Sequence, residues 1–152
     1  MKKKIGGFLI IAFLLSGCNL NFNSSKKPGV ICDDKDAITL AEEILNQDIL
    51  NQDIKNKDIS PLKIDPENIV IWDYKSGRYL CKAKVTGKVL NKNFSTFLWT
   101  GSDYGIYEKN KTLTGWIYYQ TYMTTSEEKK AKENKPFSFY VQIIPNKNIK
   151  EW

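Results

Sequence analysis

The chain has 152 residues, with 23 Lys and Arg against 17 Asp and Glu, a formal net charge of +6 and no histidine. Without an imidazole, Ser–His and Cys–His nucleophilic arrangements and histidine-based metal sites are excluded. Lysines interspersed with carboxylates, and no sustained basic stripe, argue against a nucleic-acid module, and the length suits one domain with a real core rather than two.

The chain opens on Lys2-Lys3-Lys4, runs through an apolar stretch over residues 5–15 and reaches the small residues Ser16 and Gly17 before Cys18. This is the layout of a secretory signal. It is too short for a spanning helix, which needs about 20 apolar residues, and polar Asn19, Asn21, Asn23, Ser24 and Ser25 follow at once. Losing the three lysines with such a leader brings the net charge to about +3, so half of the basicity belongs to the leader. What remains allows a modest attraction to anionic envelope surfaces.

Leu15-Ser16-Gly17-Cys18 resembles the lipobox of bacterial lipoproteins. The resemblance implies that residues 1–17 are a cleaved signal peptide, that the Cys18 thiol receives a diacylglycerol, and that the new amino group is acylated as well. Such chains anchor a protein durably, since each buried methylene contributes about 0.8 kcal/mol and more than one chain is attached. In the Gram-negative sorting pattern an Asp after the lipidated cysteine favours inner-membrane retention, so Asn19 leans towards the outer membrane, facing the periplasm or the cell surface. An ordinary secretory signal with an incidental cysteine is the alternative.

Residues 18–31 carry Ser24-Ser25 and Pro28-Gly29 and lack apolar periodicity. They have the composition of a tether between the lipidated cysteine and a single folded domain over residues 32–152. Setting Cys18 aside leaves Cys32 and Cys81 as an even pair in an exported chain, expected to form a disulfide, with two buried free thiols as the alternative. Neither lies in a Cys-x-x-Cys arrangement, which weakens a redox-catalytic reading.

Asp33 or Asp34 can cap a helix, and Ile38, Ala41, Leu45 and Ile49 follow with helical spacing while Lys35, Glu42 and Glu43 face water. Residues 44–60 hold a near-repeat that places isoleucines at Ile44, Ile49, Ile54 and Ile59. Five-residue spacing drifts around a helix, and there are too few turns for a pentapeptide-repeat solenoid. An elongated helix followed by a duplicated loop, stopping before Ser60-Pro61, is expected.

From Asn68 onward the pattern becomes that of strands, over residues 69–74, 79–90, 113–124 and 137–144, with a turn at Lys75-Ser76-Gly77. A further short strand is expected over residues 94–100, and connections over 101–111 and 126–135. Alternation places Tyr79, Cys81, Ala83, Val85 and Val89 on one face and Lys82, Lys84, Thr86 and Lys88 on the other. Phe137, Phe139, Val141 and Ile143 form an inward set opposite Ser138, Tyr140 and Gln142. The fold class is therefore α+β, one N-terminal helix packed on a curved antiparallel sheet of about four strands, with Cys81 on the helix side. Cys32-Asp33-Asp34 with its helix, followed by Gly77-Arg78-Tyr79-Leu80-Cys81-Lys82-Ala83, resembles small bacterial lipoproteins of this build. In outline it is similar to cystatin-like and nuclear-transport-factor-like folds.

The face opposite the helix gathers Lys82, Lys84, Lys88, Trp116, Tyr118, Tyr122 and Tyr140, where rings and ammonium groups can engage glycan, peptide or an envelope protein. Ordinary packing of Tyr and Trp on strands is the competing explanation. No catalytic residue, metal site or cofactor is assigned, because Asp33, Asp34, Asp36, Asp73 and Asp103 show no spacing that marks a two-carboxylate site. The expected function is a non-enzymatic, lipid-anchored binding or accessory domain for another envelope component, protein or glycan, with no nucleic-acid partner. The alternatives are an inhibitor or exclusion factor acting on a periplasmic hydrolase or incoming agent, and a carboxylate-dependent glycan hydrolase.

Overall fold

In the computed structural model, which describes residues 8–13, 31–95 and 99–152, a tight turn at residues 31–34 leads into the first helix. The expected lipobox, Cys18 and all but Ile31 of the expected tether lie outside the described residues. Of the two candidate caps it is Asp34 that serves: its Oδ1 accepts from the Asp36 N–H at 2.9 Å and the Ala37 N–H at 3.4 Å, opening α1 (Lys35–Glu43). Burial pushes the Asp34 carboxyl above its ordinary value, and the two amides pull it back. α1 turns Ala37, Leu40 and Ala41 inward, all of them buried.

At Ile44 the helix widens. Ile44–Ile49 is π-helical, with the Leu50 N–H reaching the Leu45 carbonyl at 2.9 Å, and α2 (Asn51–Lys55) follows. In an α-helix each residue turns about 100°, so isoleucines five apart would diverge by about 140°. The i to i+5 bonding of a π-helix lessens that divergence. Ile44, Leu45, Leu50 and Ile59 are fully buried, while Ile49 and Ile54 pack at the margin of the core. The near-repeat is thus a prolonged helix through Lys55, then a loop.

The sheet is antiparallel and comprises β1 (Phe8–Phe13), β2 (Lys63–Lys75), β3 (Arg78–Lys88), β4 (Ile106–Lys109), β5 (Thr112–Tyr122) and β6 (Phe137–Ile144). Its order is β1-β6-β5-β3-β2, with β4 and β6 sharing one edge of β5, beside residues 112–115 and 118–122 respectively. The expected turn after β2 is present: Ser76 and Gly77 have φ of 51° and 80°, the two positive values a tight hairpin of this hand requires. Asn110 and Lys111, at 53° and 64°, do the same between β4 and β5.

Several boundaries differ from the sequence expectation. β2 begins at Lys63, through Asp65-Pro66-Glu67, because register shifts absorb a segment without clean alternation. Of the strand expected over 94–100, residues 96–98 lie outside the described residues. Phe94, Ser95 and Trp99 are not in a strand, and Thr100–Tyr104 is a 3₁₀ turn. The connection expected over 101–111 contains β4, which closes on β5 because Gly115 has no side chain; a Cβ there would collide with the Gly105 carbonyl oxygen. The connection expected over 126–135 is mostly α3 (Thr125–Lys132). Thr124 caps it, Glu127 and Glu128 occupy its first turn, and Lys129, Lys130 and Lys132 its last, the charge order that the helix dipole favours. Glu127 also accepts from the Ser138 N–H at 2.8 Å and from Lys130 at 3.0 Å, fastening α3 to β6.

The two faces fall as alternation predicts. Tyr79, Cys81, Ala83 and Val85 of β3, Ile117 and Tyr119 of β5, and Phe137, Phe139, Val141 and Ile143 of β6 are buried together with the helical residues. Val89 lies just past β3, bridged to Ile59. Cys32 and Cys81 form a disulfide, Cα to Cα 5.5 Å, and the buried Tyr119 hydroxyl donates to the Cys32 carbonyl at 2.5 Å. At the other end of the helical run, Asn46 both donates to and accepts from the Leu62 backbone at 2.9 Å, and Glu42 accepts from the Ile64 N–H at 2.7 Å. Among the described residues, no helix is long and apolar enough to cross a membrane.

Cys32 and Cys81 are expected to resist alkylation in the denatured, unreduced chain and to react after reduction. Replacing both with Ala should cost about 4 kcal/mol by the chain-entropy account of a 49-residue separation, read by urea unfolding. The Glu127 carboxyl is held below its ordinary 4.5 chiefly by the Ser138 amide. Its contribution is therefore whole above that value and fades as pH falls through the lowered folded pKa. The stability deficit of Glu127→Gln should accordingly narrow as the medium is made more acid than about pH 4.5.

Candidate binding face

Every second residue of β3, β5 and β6 turns away from α1, and the register sets these side chains in rows. Lys84 stands opposite Trp116; Lys82 is followed across the sheet by Tyr118 and Ile144, Leu80 by Gln120 and Gln142, and Arg78 by Tyr122 and Tyr140. β2 adds Trp72, the residue left over where the register shifts between Ile71 and Asp73. Its ring meets Tyr118 edge-on, with centroids 5.9 Å apart.

Lys82 sits among these rings. Its Nζ lies 4.6 Å from the centre of Trp72, 5.4 Å from Trp116 and 5.7 Å from Tyr118. Such contacts contribute about 0.5–1 kcal/mol each at exposed sites. None of the ion pairs among the described residues involves Lys82, so ring faces rather than a carboxylate balance its charge. Trp72 and Trp116 remain 52% and 37% exposed. The arrangement offers aromatic surface for stacking and a held ammonium for an acceptor oxygen or an anion.

Tyr122 and Tyr140 form a second group, stacked at 4.8 Å with 9° between their planes, and the Arg78 guanidinium lies 4.8 Å above Tyr122. Burial raises the Tyr122 hydroxyl pKa, and Arg78 opposes the shift. Lys84 lies at the margin beside Trp116; its charge reinforces the lowering of the Asp65 carboxyl, which Asn68 and the Glu67 amide chiefly cause. Lys88 stands six residues along β3 from Lys82, about 20 Å at strand rise, and pairs with Thr112. The structure thus joins Lys82, Trp116 and Tyr118, groups Tyr122 with Tyr140 next to them, and sets Lys88 apart.

Trp72 and Arg78 were not singled out by the sequence reasoning. Val70, Ile71 and Trp72 break alternation with three consecutive apolar residues, all about half exposed, and that run was the available signal. Arg78 is the only arginine of the chain. Of the acidic residues, Asp34 is committed to its cap, and Asp73 accepts from the neighbouring Tyr74 N–H at 2.7 Å. Among the described residues, no group of three or more Cys, Asp or Glu is placed to hold a metal ion.

No protein-family model matches this chain, nor does any curated protein or solved structure. The fold is nevertheless plain: an α+β domain, helix upon open antiparallel sheet.

Packing and display can be separated by stability. Trp72→Ala is expected to change the unfolding free energy by less than about 1 kcal/mol, as for an exposed position. Tyr119→Phe removes the hydroxyl that donates to the Cys32 carbonyl and should cost about 1–3 kcal/mol. Urea titration of both variants checks the contrast.

Proposed function

We propose that this chain is a lipid-anchored bacterial envelope lipoprotein, acylated at Cys18, held at the outer membrane and facing the periplasm or the cell surface. Its folded domain is a non-enzymatic binding or accessory module for another envelope component. The observation that carries the binding role is the Lys82 ammonium held among Trp72, Trp116 and Tyr118 on the sheet face turned away from the helix. Large aromatic rings left half exposed contribute little to the core and much to a contact that would cover them. The Cys32–Cys81 bond fits an oxidising compartment, and the lipobox resemblance supplies the anchor.

Under this reading, a leader cut before Cys18 takes β1 with it. The helix, the disulfide and the whole Lys82 cluster belong to residues 31–122 and stay intact. The Lys82 cluster is thus independent of the leader strand, whereas Tyr140 stands on β6 beside Ile10 of β1.

Crosslinking in intact envelopes, with mass spectrometry, tests both halves. The parent chain is expected to incorporate labelled fatty acid and to capture a reproducible partner. Cys18→Ala should lose the label, and Lys82→Ala and Trp116→Ala should keep the label but lose most of the capture. Label retained in Cys18→Ala rejects the anchor, and capture unchanged in both face variants rejects the face.

A further inference from the structure

After β6 the chain turns at Pro145, passes through a 3₁₀ segment (Asn146–Glu151) and brings Trp152 back across the outer face. Gln120 and Ile144 are buried there although they point away from α1. A cavity of about 530 Å³ lies between this segment and the sheet, lined by Lys75, Arg78, Gln120, Gln142 and Trp152, with Ile144 and Pro145 as an apolar wall. That volume is within the usual range for small-molecule sites, about 300–1,000 Å³.

Its hydrogen-bond chain has one consistent direction. An indole N–H only donates, and Trp152 Nε1 lies 2.8 Å from the side-chain oxygen of Gln120. The Gln120 amide nitrogen must then face the other way, and it donates to the Gln142 oxygen at 2.5 Å. Among the described residues, nothing accepts from the Gln142 NH₂ group, which lies at the cavity. Lys75 reaches the Trp152 main-chain oxygen at 2.8 Å, which uses one of its three protons. Arg78 lies over the Tyr122 ring. The ion pairs among the described residues include neither Lys75 nor Arg78. Glu151 lies in the lining beside these two cations, and the Trp152 main-chain oxygen occupies one side of Lys75.

The cavity is therefore rich in donors and walled on one side by an indole. A guanidinium fork suits a carboxylate or phosphate; an uncommitted amide suits a hydroxyl; an aromatic face suits the C–H side of a sugar ring. We infer that this cavity binds an acidic sugar, its anionic group on Arg78 and Lys75, its ring against Trp152 and a hydroxyl on Gln142. The site is separate from the Lys82 cluster and does not rest on acylation at Cys18.

Calorimetric titration of the full-length chain with glucuronate, glucose 6-phosphate, glucose and inorganic phosphate tests the assignment. One of the two acidic sugars is expected to bind at least about tenfold more tightly than glucose and than inorganic phosphate, a contrast set by the charge-assisted pair and the ring together. Which of the two binds more tightly identifies carboxylate or phosphate as the anionic group. Arg78→Gln should weaken that affinity by about tenfold or more, Gln142→Ala by a few-fold, and Lys82→Ala not at all. Lys75→Gln, with the same expected direction, serves if Arg78→Gln does not fold. No binding of either acidic sugar at millimolar concentration overturns the inference. So does glucose binding as tightly as both acidic sugars, or inorganic phosphate binding as tightly as glucose 6-phosphate. Unaltered affinity in a folded Arg78→Gln chain overturns it as well.

Discussion

The Cys32–Cys81 bond fixes the place where the helix meets the sheet, and the rest of the domain is arranged around it. Cys81 lies in the middle of β3, with β2 on one side and β5 on the other. Cys32 comes two residues before the Asp34 cap. The link therefore sets the point at which α1 starts across the sheet, and the Tyr119 hydroxyl on the Cys32 carbonyl adds a second contact from β5. Asn46 and Glu42 repeat the device about a helix-length away, binding backbone groups at the start of β2. With both ends of the helical run attached, the inner face of the sheet is committed to the core, and the outer face is left for other contacts.

The strand pairs were legible where one face is buried and the other wet. β6 spans the residues its alternation predicts because Phe137, Phe139, Val141 and Ile143 all enter the core while Ser138, Tyr140 and Gln142 do not. α3 was missed because it is short, carries many charges and buries only Ala131. Its helicity rests on the Thr124 cap and on charge order, signals weaker than an apolar stripe. β4 was missed because four residues with one buried member give no period to read. The five-residue isoleucine repeat was read as a poor fit to an α-helix, and the structure accommodates it with a π-helical segment rather than by ending the helix.

The outer face was legible in kind but not in grouping. Alternation alone names Lys82, Lys84, Lys88, Trp116, Tyr118, Tyr122 and Tyr140, yet only the register tells that Lys82 stands beside Tyr118 and that Lys88 does not. Trp72 could not be placed by alternation, since it occupies the position where β2 slips by a residue. Shifts of this kind re-aim a side chain, and here the result is an indole over Lys82. The contribution of residues 145–152 was hidden for another reason: a segment folding back over a sheet leaves no periodic trace.

The edges at β2 and at β6 are managed by different means. At β2, Pro66, the charges of Lys63, Asp65 and Glu67 and two register shifts make a poor template for another strand. The clamp from Asn46 and Glu42 takes up backbone groups beside it. At β6 the edge is paired by Phe8–Phe13, in register from Phe8 with Gln142 to Phe13 with Phe137. That six-residue sequence, FLIIAF, is apolar enough for the core of an export signal and rich enough in aromatic and β-branched residues for a strand. The same composition suits both roles. Without β1, the outer N–H and C=O groups of β6 must turn to water or to another strand. The contacts that hold β6 to the domain, Ile143 with Tyr119 and Tyr140 with Tyr122 across β5 and Ser138 with Glu127 of α3, do not involve β1.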